Sequence, residues 1–131
     1  MALQIPPNCD LTLGLTCVDK STPGISVWSM HVDERFLNPA GIVQGGFLAA
    51  MLDSAMGASV VTAAGEHVSV ANTAMKVSFL RAARAGADLT CSARVVKPGR
   101  TISFAEGRIV DGAGHVIASA TSTYLVRERQ E

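Results

Sequence analysis

Between Arg35 and Glu66 the chain carries one charged side chain, Asp53, and from Phe47 to Ala64 it reads FLAAMLDSAMGASVVTAA. Ala, Leu and Met favour helix. Gly41, Gly45 and Gly46 punctuate the approach to this run, and Gly65 is placed to end it. About 20 apolar residues suffice to cross a bilayer. An Asp at the centre of such a span costs ~2.5–3.5 kcal/mol on insertion scales, and neither a second span nor a basic flank accompanies this one. The expectation is a helix buried on nearly all sides inside a soluble domain, with no membrane partner.

The remainder alternates with period two. Trp28, Met30 and Val32 face one way, and Ser29, His31 and Asp33 the other. Thr73, Met75, Val77 and Phe79 alternate with Ala74, Lys76, Ser78 and Leu80, and Leu89, Cys91, Ala93 and Val95 with Thr90, Ser92, Arg94 and Val96. Ile102 and Phe104 open a further run, and Val116 to Val126 closes the series. One polar face per strand is the half-solvated antiparallel pattern. Lys97-Pro98-Gly99-Arg100 fits a type II turn, and Asp111-Gly112-Ala113-Gly114 a hairpin turn. The pattern predicts an α+β fold with one long central helix wrapped by a curved antiparallel sheet of five or six strands.

At 131 residues, with neither repeat nor linker, the chain is expected to form a single domain over 1–131, its ends 1–10 and 127–131 loosely held. The 11 basic and 11 acidic side chains cancel, which argues against nucleic acid as a partner, because phosphate binding needs a net basic face. A neutral chain that is 48% hydrophobic resists self-association poorly, so another copy is expected to cover part of its surface. Cys9, Cys17 and Cys91 form no Cys-x-x-Cys pair, and His31, His67 and His115 lie far apart, so neither a disulfide framework nor a metal site is expected. The N-terminus has no basic and apolar leader pattern, and a reducing cytoplasm is the expected compartment.

Asp53 is the first candidate for chemistry. Its helical neighbours at three and four residues are Ala50, Met56, Ala49 and Gly57, so its carboxylate needs partners or a job. Such acids are candidates for general base or nucleophile. The loop Asn38-Pro39-Ala40-Gly41-Ile42-Val43-Gln44-Gly45-Gly46 enters the helix and leaves free N–H groups at its positive end, suited to an anion or a developing oxyanion. Gly45 and Asp53 stand ~12 Å apart along one helix at 1.5 Å per residue. If both act on one carbonyl, two chains must supply them, across a two-fold dimer. Arg81, Lys97 and Arg100 are either phosphate contacts or solvated loop charges.

Asn38-x-x-Gly41-x-x-Gln44-Gly45-Gly46 followed by Asp53 resembles the signature of hotdog-fold acyl-CoA thioesterases, in particular the phenylacetic-acid-degradation type. Val77-Ser78-Phe79-Leu80-Arg81-Ala82-Ala83-x-x-Gly86 and Lys97-Pro98-Gly99-Arg100-Thr101 resemble that family's next strand and hairpin. Gln44 stands where the family commonly has His, and Ala82 where relatives often have Pro. The resemblance implies hydrolysis of a small aromatic or short- to medium-chain acyl-CoA. No cofactor is implied, since coenzyme A belongs to the substrate. It further implies that Gly45 or Gly46 N–H binds the thioester oxygen while Gln44 holds the loop or contacts the thioester. Asp53 of the other chain activates water or attacks directly, and Asn38 positions water or the loop. Asn72 or Thr73 stands beside the acid, and Arg81, Lys97 or Arg100 meets the nucleotide phosphates. The implied assembly is a homodimer with its sites at the interface, pairing into a homotetramer. Two rivals are a non-catalytic acyl-CoA-binding module, which Gln44 keeps open, and a hydratase, which would need a His at the site.

Overall fold

The computed structural model describes residues 4–130. Helix α1 (Asn8–Leu13) leads into strands β1 (Thr16–Asp19) and β2 (Ile25–His31). Helix α2 (Gly45–Ala64) follows, and then β3 (Val68–Phe79), β4 (Asp88–Lys97), β5 (Ile102–Val110) and β6 (Val116–Glu128). The strands form one six-stranded sheet in the order β1-β2-β4-β5-β6-β3, antiparallel throughout. This is the expected hotdog arrangement, with β3 as a long edge strand.

Helix α2 starts two residues before the apolar run and stops where Gly65 takes φ 110°. Leu48, Met51, Leu52, Ala55, Met56 and Val60 are buried against inward residues of the sheet, among them Trp28, Met30, Leu89, Cys91, Ile109 and Tyr124. Each Leu, Met or Ile so buried contributes ~1.5–3 kcal/mol. The closest approach is at Gly107 of β5, where a Cβ would stand 3.1 Å from Leu52 and 3.2 Å from Met56. A buried polar seam adds direction. Ser26 Oγ donates to the Ala55 carbonyl at 2.7 Å, and Trp28 Nε1 donates to Ser26 Oγ at 3.0 Å.

Five expectations need correction. Helix α2 is not covered on nearly all sides: Gly46 and Asp53 are exposed, and Ala49, Ala50, Ser54 and Ala58 are half-buried. One sheet covers only one flank of a helix. The N-terminal stretch 1–10 is not loose throughout. Residues 1–3 lie outside the described residues, but α1 docks on α2, with Asp10 4% exposed and accepting from Ser54 Oγ at 2.8 Å. At the other end Arg127 and Glu128 pair with Ser69 and Val68, which extends β6, while residue 131 lies outside the described residues. Thr73 does not share a face with Met75, because a bulge between Asn72 and Ala74 reverses the alternation there. Gly99 lacks the positive φ of a type II turn. It is small because the Ile102 carbonyl would lie 2.0 Å from a Cβ.

Burial pushes the Cys91 thiol up to about 12, whereas Cys9 is exposed. A thiol reagent at pH 8 should therefore label Cys9 in the folded chain and reach Cys91 only on unfolding, read by intact mass. The folded chain holds the Cys91 proton more tightly than the unfolded one. Its contribution to stability is thus whole below the unfolded value of ~8.5 and is lost as pH climbs toward the folded one.

Candidate active site

The loop before α2 is built by Asn38. Its Oδ1 accepts from the backbone N–H of Ala40 (3.0 Å) and of Ile42 (3.3 Å), and its own N–H donates to the Ile42 carbonyl at 2.8 Å. Asn38 therefore holds the loop rather than reaching toward Asp53. Gln44 sits at the N-cap with no side-chain capping bond, and its N–H donates to the Phe36 carbonyl at 2.8 Å. Its amide side chain is exposed and free.

The N–H groups of Gly45 and Gly46 donate to no acceptor among the described residues. The two glycines differ. A Cβ on Gly45 would meet the tip of the Phe79 ring at 2.9 Å, so a side chain there would have to displace that ring. A Cβ on Gly46 would meet nothing within 4 Å. Glycine inside a helix is destabilising by ~0.5–1 kcal/mol relative to Ala. Nothing among the described residues repays that at Gly46, which leaves its backbone open to an approaching group.

Asp53 lies on the open face of α2, more exposed than its apolar neighbours suggested. One oxygen is held firmly. Oδ1 accepts from the Tyr124 hydroxyl at 2.7 Å and from Asn72 Nδ2 at 3.0 Å. The same hydroxyl is 3.0 Å from the backbone carbonyl of Asp53. Asp53 Oδ2 accepts from no group among the described residues. Burial pushes the Tyr124 phenol well above its ordinary value, and the adjacent carboxylate pushes it further. Tyr124 is accordingly a donor that keeps its proton.

Of the two candidates beside the acid, the sheet brings Asn72 to Asp53. Thr73, at the bulge, instead gives its hydroxyl to the Thr123 carbonyl at 3.1 Å. The basic residues do not converge within one chain. Arg81 follows the Phe79 end of β3, whose register through Ala118 leads to Ile109, whereas Lys97 and Arg100 flank the other end of β5. Ile102 and Ile109 are ~23 Å apart along the strand. Tyr124 was not among the residues singled out from the sequence. It is the one tyrosine, and the signal available was its place in the inward series Ala118, Ala120, Ser122, Tyr124, where a phenol must find a partner.

A shallow groove of about 390 Å³ runs beside the start of α2, lined by Cys9, Thr12, Leu13, Gly46, Phe47 and Ala50. It carries no charged side chain. The histidine–carboxylate pairs, His31 with Asp88 and His115 with Asp111, are exposed, and neither bonds to Asp53.

The thioesterase superfamily model matches residues 40–118. Acyl-coenzyme A thioesterase 13 of Homo sapiens is 29% identical over 119 residues, covering 88% of this chain and 83% of that protein. The E. coli PaaI protein from the phenylacetic acid degradation operon superposes with a TM-score of 0.85 at 24% identity, over 91% of this chain and 83% of that one. A hypothetical thioesterase from Streptococcus pneumoniae TIGR4, solved with coenzyme A, gives 0.81 at 23% identity, over 89% and 88%. At these identities the two structural likenesses establish the fold.

Asn38→Ala removes the acceptor for two loop amides. It should cost ~1–3 kcal/mol and speed hydrogen exchange at Ala40 and Ile42, while the amides of α2 beyond Leu48 keep their protection. Unchanged exchange at both loop amides would show that the loop does not depend on Asn38.

Proposed function

This chain belongs to the thioesterase superfamily and is a thioester hydrolase, and we propose that its substrates are acyl-coenzyme A esters with a small aromatic or short- to medium-chain acyl group. The observation that carries this is Asp53, a carboxylate with one oxygen anchored and the other free on the open face of α2. The acyl group would lie in the uncharged groove that begins at Gly46 and runs under α1. Fold likeness to the E. coli PaaI protein supports the phenylacetic-acid-degradation type.

The thioester oxygen accepts from the N–H groups of Gly45 and Gly46, where the helix dipole favours developing negative charge. Gln44 adds an amide donor but cannot take a proton. Asp53 either takes a proton from a water molecule as that water attacks the thioester carbon, or attacks the carbon itself to give a mixed anhydride that water then opens. In both routes the C–S bond breaks, coenzyme A leaves as a thiolate that takes up the proton released by water, and the free acid departs.

Amides and carboxylate come from two protomers in this scheme. Gly45 packs on Phe79 at one end of the edge strand β3, and Asp53 is bonded to Asn72 toward the other end. Antiparallel pairing of two β3 strands about a two-fold axis lays the Phe79 end of one over the Asn72 end of the other, ~4.8 Å away across the ladder. It also brings Arg81 of one protomer to the end of the joined sheet that holds Lys97 and Arg100 of the partner, which suits a nucleotide lying across the interface. Phe79 and Leu80, 55% and 60% exposed, would be covered there. A second exposed apolar group, Val96, Ile102 and Phe104, supports pairing of dimers into a tetramer. The rival readings fit less well. A non-catalytic module has no use for an anchored carboxylate, and a hydratase would need a histidine bonded to it.

Release of free thiol from a panel of acyl-CoA esters tests the activity. Asp53→Asn should fold normally and lose roughly 10²–10⁴-fold in kcat, the usual worth of a positioned base. Wild-type turnover by the folded variant would remove Asp53 from the mechanism. The shared site has its own test. Asp53→Asn mixed with Gly46→Pro, which lacks the N–H, should form heterodimers with one intact site and recover activity toward half of wild type. Verified heterodimers of two folded variants that stay inactive would show that each protomer works alone.

A further inference from the structure

We propose that Tyr124 is the positioning residue of the active site, holding Asp53 Oδ1 so that only Oδ2 faces the thioester. This rests on Asp53 being the reacting carboxylate.

An aspartate on an open helix face is free to turn about two side-chain torsions. Here that freedom is removed by two donors on the same oxygen, at 2.7 and 3.0 Å. They are not equivalent. Asn72 comes from an edge strand beside a bulge, and its Nδ2 is shared with Ser122 Oγ at 3.2 Å. Tyr124 comes from inside the sheet. It sits opposite Asn72 on one side and Ser103 on the other, and it is 1% exposed. Its ring rests against α2 at Gly57, one turn beyond Asp53, where a Cβ would lie 3.6 Å from the ring edge. Its hydroxyl lies near both the carboxylate and the backbone carbonyl of Asp53. The sheet thus holds the Asp53 carboxylate from one fixed point, with the backbone carbonyl of the same residue close beside it.

A donor to a carboxylate favours the ionised form, and Tyr124 remains a protonated donor because it is buried. Few other groups compete. Among the described residues, the other titratable side chains against α2 are Asp10, bonded to Ser54, and Cys9 from α1, Cys91 from β4, and His67 beside Gly65 at the far end of the helix. β2, β3 and β5 turn none toward it, β6 only Tyr124, and neither Asp10 nor Cys91 bonds to Asp53.

The test exploits the single tyrosine: 3-fluorotyrosine supplied during expression labels position 124 alone. Tyr124→Phe should lower kcat about tenfold, with KM within about twofold, and move the acid limb of the kcat profile to higher pH. The fluorinated protein carries a stronger donor, so its acid limb should move to lower pH, and its ¹⁹F resonance should titrate at the midpoint of that limb. Acid limbs that coincide with wild type in both proteins would overturn the positioning role, as would a ¹⁹F resonance that ignores the limb. If Tyr124→Phe does not fold, the fluorinated protein decides by itself. Asp53→Asn, assayed alongside, separates the two levels. Retained turnover there defeats the choice of carboxylate, whereas loss of turnover with unmoved tyrosine profiles defeats only the role of Tyr124.

Discussion

Everything in this structure follows from covering one nearly charge-free helix with one sheet. The sheet reaches the flank of α2 that carries Leu48, Leu52, Ala55, Met56 and Val60, and it comes close enough to need glycine at position 107. It cannot reach the opposite flank. That flank keeps Gly46, Ala50 and Asp53, at the spacing of one helical face. The same geometry that forms the core therefore leaves a strip of helix bare, and the strip begins at unpaired amides and contains the one carboxylate.

The two ends of that strip do opposite electrostatic work. Unpaired N–H groups at the N-terminus favour negative charge, and an ionised carboxylate supplies it. Along one helix they stand ~12 Å apart and do not meet. In the proposed dimer strand β3 resolves the separation. It packs Gly45 near its end and Asn72 with Asp53 before its middle, and its free edge invites an antiparallel copy. An edge strand of 12 residues, exposed and flanked by Phe79 and Leu80, is otherwise an aggregation hazard.

Features set by local chain chemistry were legible in the sequence. The helix, its terminating glycine, the succession of strands along the chain and the place of Asp53 as the one charge in the helix follow from composition and period. Features set by register were not. The bulge at Thr73 shifts β3 by one residue, and only that shift decides that Asn72 rather than Thr73 meets the acid. Tyr124 and Asp53 are 71 residues apart, so no local pattern joins them. Arg81 just follows β3 and Lys97 ends β4, and strand pairing sends them to opposite ends of the sheet. Gly99 suggested a turn type, whereas its smallness answers a carbonyl three residues on.

The economy of the site matches the bond it is proposed to break. Gln44, Asn38, Asn72 and the glycine amides hydrogen-bond but do not titrate, and Tyr124 is held to its proton by burial. In the proposed scheme Asp53 is therefore the group left to act as base. For an oxygen ester or an amide the same carboxylate would have to return its proton to the leaving atom, because an alkoxide or amide anion leaves poorly unless an acid protonates it. A thiolate is different. Thiols ionise near ~8.5, so the leaving sulfur needs little help, and a single base with a pair of backbone donors is a complete set. Gln44 in place of the commoner histidine removes a second titrating group without removing a donor, a change that suits a leaving group as good as a thiolate.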